Sequence, residues 1–152
     1  MMLMNRPHPN PLPPAGEGTN VKNFSIHDLM SARYEEGARG PDAYDCFGLF
    51  AELCRRSGFE IPDHPSPADR EQIEEKIMAA AIADWQILRE PEIGCAVAIR
   101  IGPWVSHIGM VIEGNRFIHA NEKTGVTVAR LDDVMWVKRI VGFYRYARER
   151  NV

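Results

Sequence analysis

Asp45-Cys46-Phe47-Gly48-Leu49-Phe50-Ala51-Glu52-Leu53-Cys54-Arg55-Arg56-Ser57-Gly58 is read here as one amphipathic helix. Phe47, Phe50, Leu53 and Cys54, with Leu49 beside them, fall on one apolar stripe at helical spacing. Asp45 is a natural N-cap, and Gly58 stands where a C-terminal cap belongs. Cys46 therefore occupies the first turn, where unpaired backbone N–H groups carry partial positive charge and favour a thiolate. A free cysteine in such a stripe is equally compatible with an inert core residue. The helix alone does not decide between them.

Two histidines downstream do. Ser106-His107-Ile108-Gly109-Met110-Val111-Ile112-Glu113 reads as a strand, Gly114-Asn115 as a turn, and Arg116-Phe117-Ile118-His119-Ala120 as the returning strand. A short turn lets the two imidazoles face each other across one antiparallel hairpin. A thiol at a helix N-terminus with a pair of imidazoles is the set that nucleophilic amide chemistry requires: nucleophile, base and a third group to orient the base. The resting site expected from these residues is a thiolate–imidazolium pair.

The order Asp-Cys-x-Gly-Leu, then His-Ile-Gly-Met-Val-Ile, then Phe-Ile-His-Ala followed by Gly125-Val126 resembles the NlpC family of papain-like cysteine peptidases, bacterial and phage enzymes that cut peptide bonds in cell-wall peptidoglycan. The likeness runs from about Tyr34 to the C-terminus. The run Ala38-Arg39-Gly40-Pro41-Asp42-Ala43-Tyr44-Asp45-Cys46-Phe47, with an aromatic residue after the cysteine, is similar to the small cell-wall peptidases encoded in phage tail and gene-transfer-agent clusters. The resemblance implies that Cys46 is the nucleophile, His107 the general base and His119 the residue that orients it. It also implies that Tyr34 lines the oxyanion site, with Asp45 supporting the helix start. Phe47 stands where many secreted members carry Ser, and Glu92-Ile93-Gly94-Cys95 lacks the aspartate of the usual Gly-Asp-Leu turn. The implied partners are a peptidoglycan peptide as substrate and phage-like tail proteins for delivery. A papain-like acyltransferase, which uses the same residues, stays as an alternative, as does a structural tail protein with a vestigial site, against which the intact Cys46, His107 and His119 count.

Composition bounds the remainder. The 152 residues, 45% hydrophobic and 26% charged, suit one globular domain with a real core. A net charge of −3 and the lack of any basic run with interleaved aromatics exclude a nucleic-acid partner, and no glycine loop is built to cradle phosphates. Three widely spaced cysteines form no disulfide framework, and no Cys-x-x-Cys pair offers a zinc site, so no metal or cofactor is expected. Cys54 and Cys95 read as small core residues.

Five prolines fall between Pro7 and Pro14, with no apolar stretch of the kind a secretory signal or membrane span needs. Residues 1–20 are therefore expected to be disordered. The run Arg6 to Gly18 resembles the translation of a palindromic intergenic repeat of proteobacteria, which places the start of the domain near Val21. Residues 21–152 form the single expected domain, made in the cytoplasm and carried to its substrate in a tail particle.

Ile26 to Tyr34 reads as a short helix. Ser66-Pro67-Ala68-Asp69 reads as a capping box with proline at the first helical position, opening a helix to about Ala83. Glu71, Glu74 and Glu75 with Arg70 and Lys76 read as its exposed face, and His64 as an exposed loop residue. Val97, Ile99 and Ile101 alternate as the first strand of a sheet that continues with Val105–Glu113, Arg116–Ala120, Val126–Ala129 and Gly142–Tyr146. Helices first and an antiparallel sheet afterwards give an α+β, papain-like arrangement. Arg39 is the candidate for a substrate carboxylate, since guanidinium pairs with carboxylate bidentately.

Overall fold

The computed structural model describes residues 20–21, 24–63 and 69–147. The proline-rich segment up to Thr19, the loop residue His64 and the first three residues of the capping box lie outside the described residues. In chain order the elements are β1 (Asn20–Val21), β2 (Phe24–Ser25), a single 3-10 turn (His27–Leu29), β3 (Arg33–Tyr34), β4 (Ala43–Tyr44), α1 (Cys46–Ser57), α2 (Arg70–Asp84), β5 (Trp85–Leu88), β6 (Ala96–Ile101), β7 (Trp104–Ile112), β8 (Arg116–Asn121), β9 (Gly125–Arg130) and β10 (Ile140–Tyr146).

Helix α1 forms where its sequence demands. Asp45 adopts extended backbone and accepts the Gly48 N–H at 2.7 Å, while Gly58, at φ 108°, closes the helix by donating to the carbonyls of Cys54 and Arg55. Leu49, Phe50, Leu53 and Cys54 are fully buried. Each large apolar side chain so placed contributes about 1.5–3 kcal/mol relative to exposure. They pack on Ala96, Met110, Ile112, Ile118 and Ala120, which alternate along β6, β7 and β8 and so share one face of the sheet. The opposite face carries a second cluster of Cys95, Val97, Ile99, Val111, Phe117, Leu131 and Trp136. Both Cys54 and Cys95 lie in these cores.

The sheet has six strands in the order β5-β10-β6-β7-β8-β9, every neighbouring pair antiparallel. With two helices preceding all six of its strands, the fold is α+β. Two local expectations need correction. The segment Ile26 to Tyr34 makes only one 3-10 turn, because its later backbone donors are claimed elsewhere: Arg33 N–H goes to Asp42 O and Glu35 N–H to Tyr44 O, a parallel β3–β4 pairing. Helix α2 begins three residues later than the capping-box reading, because the Asp69 carboxylate itself takes the cap, accepting Gln72 N–H at 2.8 Å. Strand β5 was not legible. It follows α2 without a break, and its pairing with β10 is fixed by Trp85, whose ring lies 5.0 Å from Tyr146 and 5.7 Å from Phe50.

Candidate active site

The N-terminus of α1 is held from outside the helix as well as within it. Besides Gly48 N–H, the buried Asp45 carboxylate accepts Gly37 N–H at 3.0 Å and the Arg39 guanidinium at 2.9 Å. One side chain thus ties the loop before the helix to its first turn. The approach is so close that a Cβ at Gly48 would strike the carbonyl of Ala38, which accounts for glycine two residues after Cys46. Arg39 also donates to Asp63 at 3.1 Å and lies 5.2 Å over the Phe47 ring. Replacing Asp45 by alanine removes the cap and leaves buried donors unpaired, an expected loss of about 2–3 kcal/mol. The midpoint of urea unfolding measures it; an unchanged midpoint contradicts the role given to Asp45.

The two histidines meet because the hairpin is locally irregular. Between β6 and β7, Ile99 pairs with His107 and Arg100 with Val105, so Ser106 is an extra residue, a bulge that re-aims His107. The β7–β8 ladder runs from Ile112↔Arg116 to Met110↔Ile118 and ends there. At the next position Gly109 faces His119, and a Cβ on it would sit 2.8 Å from Ile118 O and 3.2 Å from the His119 Cβ. In the space so made, His107 Nε2 and His119 Nδ1 share a hydrogen bond of 2.7 Å. His107 is 8% exposed and His119 1%.

Cys46, the first residue of α1, lines a cleft of about 640 Å³ between α1, α2 and the sheet. Its walls include Tyr34, Phe47, Phe50, Arg70, Ile108 and Glu122. The imidazoles are not among the lining residues. The link between them and the thiol is Ile108, the residue after His107, whose backbone N–H interacts with the sulfur. Arg39 does not line the cleft, whereas Arg70 does. Arg70 opens α2 and donates to the Ser106 hydroxyl at 3.1 Å, and Glu74 of the same helix accepts Val105 N–H at 2.7 Å. Two residues of the helix face read as solvent-exposed therefore anchor α2 to the histidine strand. Nothing in their i, i+4 spacing separates them from Glu71 and Glu75, which are exposed.

Electrostatics change the expected resting state. Burial pushes the Cys46 thiol up to about 11, with the Asp45 charge adding to the rise, against the opposing help of the Ile108 and Phe47 backbone N–H groups. Burial likewise holds His107 down at about 3, with the like charges of His119 and Arg70 next in effect, and His119 at about 4. Desolvation outweighs the helix N-terminus, so the unliganded site holds a neutral thiol and neutral imidazoles rather than the ion pair. Tyr34 is also shifted upward, by burial first and by the neighbouring Cys46 charge second, so its phenol remains a hydrogen-bond donor. The thiolate is the reactive form, so alkylation of Cys46 by iodoacetamide should rise steadily with pH from 6 to 10. Cys46 should still react faster than Cys54 and Cys95, because it alone of the three is not fully buried. A rate plateau already present near pH 6, read by mass spectrometry, contradicts the neutral pair.

This pairing of a helix-capped cysteine with a histidine hairpin sits inside a recognised domain: residues 31–145 match the model of the NlpC/P60 family. The chain belongs to the NlpC/P60 family. Among curated relatives, it is 26% identical over 113 residues to the murein DD-endopeptidase MepS/murein LD-carboxypeptidase of Escherichia coli K12, covering 74% of this chain and 54% of that protein. It is 25% identical over 114 residues to the probable endopeptidase p60 of Listeria grayi, covering 74% of this chain and 20% of that one. The chain thus spans about half the length of the first of these relatives, or less. NlpC/P60 structures share the fold. NlpC1 from Trichomonas vaginalis aligns with a TM-score of 0.62 at 20% identity, over 90% of this chain and 46% of that one. A lipoprotein-like NLP/P60 protein of Staphylococcus aureus aligns with a TM-score of 0.58 at 22% identity, over 80% and 38%.

Proposed function

We propose that this NlpC/P60 domain is a cysteine peptidase that hydrolyses amide bonds in peptidoglycan stem peptides through a thioester. The observation that carries the reading is the pairing with His119 of His107, whose next residue in the strand, Ile108, lines the same cleft as Cys46 and offers its backbone N–H to the sulfur. The murein endopeptidase relative from Escherichia coli supports the substrate class, and the probable endopeptidase from Listeria grayi supports peptide-bond cleavage.

Roles follow from chemistry. His107 takes the thiol proton at Nδ1 while its Nε2–H donates to His119. Sulfur attacks the amide carbonyl, and the oxyanion is met by backbone N–H groups at the start of α1 and by the Tyr34 hydroxyl. The protonated His107 then gives its proton to the leaving amine, and water, deprotonated by His107, hydrolyses the thioester. Because the resting pair is neutral, proton transfer accompanies attack rather than preceding it. Arg70, at the cleft wall, is placed to meet a carboxylate of an anionic stem peptide.

We place the protein in a phage-like tail that opens the wall locally; the run Ala38 to Phe47 supports this subgroup. No helix among the described residues is long and apolar enough to cross a membrane. The apolar part of the cleft, with Phe47, Phe50, Ile73, Ile77 and Trp85, favours acyl transfer as the second reading, since it suits an alkyl-bearing acyl group. Digestion of purified peptidoglycan fragments in heavy-oxygen water with an added amine separates the two. Hydrolysis puts one heavy oxygen on each new carboxyl; products carrying the added amine instead identify a transferase.

A further inference from the structure

The geometry points to Trp136 as a positioning residue: its indole face receives the Nε2–H of His119 and so fixes the tautomer that leaves His107 Nδ1 bare to act as base. This rests on the roles proposed for the two histidines.

One proton lies between His107 Nε2 and His119 Nδ1, 2.7 Å apart, and it has two possible owners. If His107 owns it, His107 Nδ1 is a bare acceptor and His119 carries its own proton on Nε2. If His119 owns it, the His107 proton sits on Nδ1 and no base faces the thiol. What surrounds His119 Nε2 therefore selects the state of a nitrogen two ring-lengths away. That atom is buried and has no hydrogen-bond partner among the described residues. The indole of Trp136 packs against the His119 ring, with centroids 4.9 Å apart and planes at 89°. An aromatic face is electron-rich: it attracts an N–H and repels a bare nitrogen lone pair. The same indole lies within 21° of parallel to His107, 6.0 Å away, so one ring braces both imidazoles.

The segment that carries Trp136 is built to hold it inward. Val134 is 91% exposed and Met135 and Val137 are exposed too, yet Trp136 is only 8% exposed. Asp133 organises the coil. Its carbonyl accepts Trp136 N–H at 2.9 Å and Val137 N–H at 2.8 Å, and its carboxylate accepts Met135 N–H at 2.7 Å. The end of the segment is pinned to the sheet where Arg139 O accepts Arg100 N–H at 2.8 Å. Phe117 also meets the indole, with centroids 6.1 Å apart and planes at 89°.

The test is imidazole nitrogen NMR on the full chain labelled at histidine, near pH 7, alongside steady-state hydrolysis of purified peptidoglycan fragments. In the wild type, both histidines are expected as Nε2–H tautomers, with the His119 Nε2–H proton shifted upfield by the indole ring current. Trp136→Phe, which keeps a π face, should preserve both signatures and most of kcat. Trp136→Leu should move His119 toward the Nδ1–H tautomer and lower kcat about tenfold with KM within about twofold. Wild-type His119 found as the Nδ1–H tautomer, or its Nε2–H without an upfield shift, overturns the proposal even if Trp136→Leu fails to fold. So does a folded Trp136→Leu protein with lower thermal stability but unchanged tautomers and kcat. The NMR readout needs no turnover, so a wild type that hydrolyses nothing overturns the peptidase reading without touching the tautomer result.

Discussion

Cys46→Ala should abolish amide hydrolysis, lowering turnover by about 10⁴-fold or more, while thermal unfolding stays within a few degrees of wild type. The thiol is the sole nucleophile in the proposed mechanism, and no step survives its loss. The fold survives because Cys46 is the first helical residue, with part of its surface on the cleft, and the cap belongs to its neighbour Asp45. Steady-state rates on peptidoglycan fragments and a melting curve check both halves. Residual turnover within tenfold of wild type would show that another group performs the attack.

The histidines should rank unequally. His107→Ala removes the base and the acid together and should cost about 10²–10⁴-fold in kcat. His119→Asn should stay within about tenfold, a cost no larger than that of one ordinary hydrogen bond. The reason is positional: His119 offers Nδ1 to His107 at 2.7 Å, and an asparagine Oδ1 falls near the same place and accepts the same proton. If His119→Asn were as inactive as His107→Ala, His119 would have to take part in the chemistry directly.

Much of the fold was written locally. The α1 stripe, its Asp45 cap and its Gly58 terminus carry their own geometry, and the alternation Val97, Ile99, Ile101 carries a strand. What the sequence could not show depended on partners distant in the chain. Arg33 and Tyr34 are strand-like only because Asp42 and Tyr44 take their neighbourhood's backbone groups. Strand β5 exists because Trp85 finds Phe50 and Tyr146.

At the site, the residue types were legible and their protonation was not. Helix N-terminus and imidazole argue for a thiolate, but the depth at which Cys46 and His107 end up reverses the balance, and depth is a property of the packed sheet. Trp136 stayed hidden for a related reason. In Val134-Met135-Trp136-Val137 every residue is apolar, and only the turn organised by Asp133 decides which one faces inward.

The central claim is that amide cleavage in peptidoglycan passes through the Cys46 sulfur. Purified peptidoglycan fragments should be digested with protein alkylated to increasing extents, with peptide mapping to show how much of each cysteine is modified. Amide-cleaved products should fall in proportion to the fraction of Cys46 alkylated and vanish when it is complete. Undiminished cleavage by protein fully alkylated at Cys46, or no amide cleavage by the unmodified protein, contradicts the account.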